Sequence, residues 1–140
     1  MDDSGRQQWL SPVILVGVIY FVVGITFAAL AGAAASTQLR FIWRLVAFII
    51  SGVAFAAHIA YEHFRLRNTV RPMAWHTAAA VALGAFALAL VANIHDLGSA
   101  SGYRPRMLIA LVAWPLLTAV PAFLVALVIA AVLDAKRLRV

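Results

Sequence analysis

Residues 78–92 read AAAVALGAFALALVA, a run of alanine and leucine broken by one glycine and free of any charged or amide side chain. The apolar/polar alternation that marks a strand is missing, and alanine and leucine are the strongest helix formers. A helix that is apolar on every side has no wet face, so it needs an apolar solvent. Followed outward, the same character holds over residues 73–95, more than the ~20 residues that cross a ~30 Å hydrocarbon core.

Three other segments match it, at residues 12–35, 41–64 and 107–133. Across the 140 residues 65% of side chains are hydrophobic and 11% charged, too little polar surface to coat a water-soluble globule. The chain is expected to be an all-α membrane protein, one integral membrane domain over residues 1–140 built as an antiparallel four-transmembrane-helix bundle. The connections are short, which predicts that helices consecutive in sequence lie side by side. In the first segment nothing charged stands between Arg6 and Arg40, longer than the ~7–15 residues of a signal-peptide core, so it is expected to be a retained helix. Ser11 and Pro12 would open it, the serine as cap and the proline where its missing N–H costs nothing.

Charge sets orientation. Arg6, Arg65, Arg67, Arg71, Lys136, Arg137 and Arg139 fall on the side of the termini and the middle loop, and Arg40, Arg44, Arg104 and Arg106 on the other. The excess predicts cytoplasmic termini, in a bacterial inner membrane. The net charge of +6 is spread over helix ends on both faces, which fits anchoring to lipid phosphate and not nucleic-acid binding. With no cysteine in the chain, disulfides and thiolate metal sites are excluded.

Small residues mark where helices would meet: Gly17, Gly24, Ala28, Ala31 and Ala35 on the first, and Gly52, Ala56 and Ala60 on the second. Pro115 and Pro121 remove ladder bonds from the fourth and predict kinks. A faint echo relates Glu62-His-Phe-Arg-Leu-Arg67 to Asp134-Ala-Lys-Arg-Leu-Arg139, each closing a helix with the same acid-to-arginine spacing.

At steps of three and four, the second helix carries one stripe: Arg44, Phe48, Ser51, Phe55, His58, Glu62 and Arg65. Ionisable groups facing lipid cost ~2.5–3.5 kcal/mol each on insertion scales, so the stripe should face the bundle or a partner. His58 and Glu62 are one turn apart and Arg65 follows, a chain of contacts at helix spacing. Folding the hairpin about Asn68 and Thr69 brings His63 and His76 to similar depth, a weaker metal-ligand pair. Glu62 and His63 point ~100° apart on the helix, which works against a site using both. At the other end Asn93, His95 and Asp96 form an outer polar cluster, with Asp96 expected to pair with an arginine.

No phosphate-binding loop, HExxH or nucleophile elbow is present. The expected protein is noncatalytic and binds or translocates a proton or small cation through His58, Glu62, Arg65 and Ser51. Two alternatives stand beside it: a structural subunit or scaffold of a larger membrane complex, and a metal- or haem-binding electron-transfer anchor. No cofactor is firmly indicated. The expected partners are the lipid bilayer and further copies of the chain or other membrane subunits.

Overall fold

In the computed structural model residues 3–98 and 106–137 are described, with side chains at 9–98 and 107–135. Arg104, and the side chains of Arg6, Arg106, Lys136, Arg137 and Arg139, lie outside that set. Four helices follow in order: α1 Asp3–Ala33, α2 Thr37–Phe64, α3 Val70–Leu97 and α4 Arg106–Arg137. Each is long and apolar enough to span a bilayer, and among the described residues there is no strand. The chain is an all-α membrane protein, a bundle of four helices.

The helices run past the apolar limits read from sequence, because hydropathy marks only what lies in hydrocarbon while polar residues continue a helix into the headgroups. α1 begins at Asp3, so Pro12 is interior and Ser11 is not its cap. The proline removes only one ladder bond, to the carbonyl of Gln8. α2 starts at Thr37, where the extended Ser36 accepts the Leu39 N–H at 3.1 Å and satisfies one of the orphan donors of the first turn. α4 is continuous through Pro115 and Pro121.

Neighbour order departs from sequence order. α3 is central and packs along α1 and α4, while α2 leans mainly on α1 and meets α3 and α4 only sparingly. Glycine explains the α1–α3 contact. A Cβ at Gly84 would stand 2.6 Å from the Tyr20 Cβ and 3.0 Å from the Gly17 carbonyl oxygen, and one at Gly17 would stand 2.8 Å from Leu83 Cδ2. Only bare backbone allows that approach, and lipid provides no hydrophobic drive to replace it. The small-residue stripe of α2 makes no such contact: Gly52 has no neighbour within 4 Å of an added Cβ, and Ala56 is exposed.

α2 therefore touches its hairpin partner at one end and leaves it at the other. At the hairpin end Ile59 joins Met73 and Ala74 of α3 and Ala126 and Ala130 of α4 in a buried apolar cluster. Further along, α2 diverges and leaves a cleft of about 590 Å³ bordered by all four helices, through Tyr20, Ser51, Gly52, Gly84, Thr118 and Pro121 among others. These residues sit near the middle of their spans.

Candidate functional site

The turn that closes the α2–α3 hairpin is shaped to deliver polar groups inward. Arg67 adopts a left-handed φ of 52°, a conformation costly for a residue with a Cβ. It bends the chain so that the Asn68 N–H reaches the Glu62 carbonyl at 3.2 Å. The Asn68 side-chain amide then donates to the Glu62 carboxylate.

Glu62 is fully buried. Besides Asn68 it meets His76 of α3, whose Nδ1 lies 3.2 Å from Oε1 and 3.1 Å from Oε2. On its own helix His58 Nε2 stands 3.5 Å from Oε1, one turn away. His58 is likewise buried, and its two ring nitrogens have no hydrogen-bond partner among the described residues. His76 keeps 17% of its side chain accessible, and its outer ring face is covered by Trp9 of α1, stacked at 4.8 Å between centroids with 3° between planes. Of the three, His76 is thus the one that keeps accessible surface, and Glu62 and His58 are enclosed. A carboxylate away from water needs hydrogen-bond donors around it, and three side chains from the helices and the turn are placed to act on this one.

Among the described residues no arginine or lysine pairs with Glu62. The contact chain expected to run on to Arg65 turns to His76 instead. Arg65 is exposed, and its backbone N–H bonds the Tyr61 carbonyl at 2.9 Å. His63 is buried but meets the Phe64 ring edge-on at 4.8 Å, on a different side of the helix from Glu62. The structure thus joins His76 to Glu62 and not to His63. Among the described residues no three His, Cys, Asp or Glu side chains are arranged to hold a metal ion. Ser51 lies two turns beyond His58, ~10 Å along the axis, at the wall of the midplane cleft.

The three residues of the outer cluster differ in burial. Asn93 is buried and donates to the carbonyls of Ala89 and of Met107, each at 2.9 Å, tying α3 to the start of α4. His95 is exposed and Asp96 half-buried. The proposed echo of Glu62 also separates: Asp134 is exposed where Glu62 is enclosed.

Two members of the site escaped sequence reasoning. Asn68 was visible only as loop centre, although an amide six residues past a buried acid has the reach to return to it. Trp9 stands beyond the apolar limit of α1, and nothing local marks it as a partner of His76. No family model matches the chain, and comparison with curated proteins and with solved structures likewise finds no match.

Proposed function

We propose that this small membrane protein is noncatalytic and holds a proton at the Glu62 cluster, passing it between the hairpin end and the membrane interior. The observation that supports this reading is the enclosed carboxylate in hydrogen-bond contact with the partly accessible His76, with the fully buried His58 3.5 Å away. His76 is the access point, Glu62 the central carrier and His58 the inner acceptor. Ser51 and the cleft continue the route toward the midplane. A proton suits the site better than a metal cation: the contacts are at hydrogen-bonding distance, and the described residues supply no three-ligand His, Cys, Asp or Glu set. On this reading, which the positive-inside bias supports, the hairpin end and both termini face the cytoplasm across a bacterial inner membrane, and the exposed apolar faces meet lipid or further subunits.

The test is proton flux into proteoliposomes under an imposed potential, read by an entrapped pH-sensitive dye. The wild-type chain is expected to exceed protein-free vesicles, Glu62→Gln to fall to their level while remaining folded, and Glu62→Asp to retain measurable flux. Flux in Glu62→Gln equal to wild type would remove Glu62 from the route. A second reading rests on Trp9, Glu62 and His76 drawing three helices together: the cluster is then an internal lock in a structural subunit. That reading expects no flux above protein-free vesicles and a less stable Glu62→Gln.

A further inference from the structure

The end of the bundle opposite the hairpin carries a second built feature. Between α1 and α2 lies a groove of about 460 Å³ whose floor is small and apolar, Ala28, Ala31 and Gly32, and whose wall carries Arg40 and Arg44. The two arginines are one turn apart on one helix, where like charges repel. Among the described residues neither forms an ion pair. Arg40 is steadied by its Nε–H, which donates to the Ala31 carbonyl at 3.3 Å and so brings its guanidinium over the end of α1.

Depth identifies the missing counter-charge. α2 has 28 residues, ~42 Å at 1.5 Å per residue, against a hydrocarbon core of ~30 Å. With α2 centred in the bilayer, Arg40 stands near the hydrocarbon boundary and Arg44 roughly one turn inside it, so both guanidiniums reach toward the level of lipid phosphates. Beside them the floor is small and apolar. Gly32, one residue from the end of α1 and level with Arg40, has nothing within 4 Å of the position its Cβ would take, leaving room for a lipid to enter. Ala28 lies one turn deeper, where a chain of methylenes would run. Two unpaired guanidiniums beside an apolar trough fit a ligand that is anionic at its head and hydrocarbon at its tail.

We infer that the α1–α2 groove is a binding site for one acidic phospholipid, its phosphate between Arg40 and Arg44 and an acyl chain along Ala28 and Gly32. This differs from the interfacial anchoring available to every arginine at a helix end, because it is stoichiometric and depends on the shape of the floor. Guanidinium–phosphate bonds are charge-assisted and directional, so the site selects net negative headgroups. It is independent of the Glu62 route.

The full chain, purified in detergent and stripped of lipid, is titrated with phosphatidylglycerol, phosphatidylcholine or soluble glycerol phosphate. Bound lipid is counted by native mass spectrometry, and the unfolding midpoint is followed in parallel. The expected result is one phosphatidylglycerol per chain with a raised midpoint, and no comparable effect from the other two ligands. Arg40→Gln with Arg44→Gln should weaken retention about tenfold or more, the scale of losing charge-assisted bonds. Gly32→Leu fills open space without touching the fold, so it should weaken retention while leaving the lipid-free midpoint at least as high. Equal retention of phosphatidylcholine would overturn the site, as would an undiminished count in both variants. Equal stabilisation by glycerol phosphate would show an anion site in which the apolar floor has no part, and would overturn the lipid assignment.

Discussion

The two halves of α2 meet different surroundings although one continuous stripe runs along both. Toward the hairpin, Ile59 is buried against α3 and α4, Glu62 is buried against His76 of α3, and His58 is buried beside them. Toward the other end, Phe48 of the same stripe is 76% exposed, Gly52 has open space beside it, and the midplane cleft separates α2 from α3 and α4. Apolar side chains alone do not draw helices together in hydrocarbon, since lipid tails serve them as well. Polar groups that need partners do so, and bare glycine backbones do so where both faces are flat. α2 has the first at one end and lacks a partner for the second at the other.

The contrast breaks most severely at Glu62. Glu62→Ala leaves Asn68, His76 and His58 around an empty, desolvated space, and each buried donor left unpaired, here those of Asn68 and His76, costs about 1–3 kcal/mol. Stability of the reconstituted or micellar protein is expected to fall by that amount for each of the two, and Trp9 fluorescence, against a background in which the other tryptophans are replaced, should shift as its stacked partner is released. An unchanged unfolding midpoint would mean that the apolar cluster around Ile59 and Met73 holds the hairpin end without help.

Next in size is the α1–α3 seam. Gly84→Ala puts a methyl carbon 2.6 Å from Tyr20 Cβ and 3.0 Å from the Gly17 carbonyl oxygen. Neither neighbour is the free end of a flexible side chain, so the helices must separate, at about 1–3 kcal/mol, the usual cost of overpacking. Unfolding in graded denaturant measures it. A gain in stability, as expected for glycine to alanine in an unconstrained helix, would show that α1 and α3 do not meet at this point.

The four helices were legible because a bilayer admits no short or half-apolar solution, and residues 78–92 alone require a span. The His58–Glu62 spacing was legible for a related reason, since i and i+4 share a face in any α-helix. Neighbour order was not. Loop length says that α2 and α3 are joined, and it holds them together near residues 65–69, but a short loop leaves the far ends free. Whether they close depends on Gly17 and Gly84 finding each other across helices distant in sequence. The same dependence hid Trp9, which reaches His76 only because α1 continues past Pro12 and lies against α3. Arg65 misled for the opposite reason: its spacing suited Glu62, yet it caps the end of α2 and is exposed, where water is a better partner for a guanidinium than a buried carboxylate.

The smallest expected change sharpens the comparison most. Gly52 faces the cleft with nothing within 4 Å of an added Cβ, so Gly52→Leu introduces no clash and removes a residue that disfavours helix by about 0.5–1 kcal/mol. Stability should stay level or rise slightly. Flux, if it follows Glu62 to Ser51 and the cleft, should fall, because the new side chain occupies part of the about 590 Å³ through which the route continues. A variant that is stable and silent separates conduction from architecture, which Glu62→Ala cannot do because it removes the carboxylate and the buried network together. A marked loss of stability would instead show that α2 packs along α3 and α4 over its whole length in the bilayer, and the stripe from Phe48 to Glu62 would then have one environment, not two.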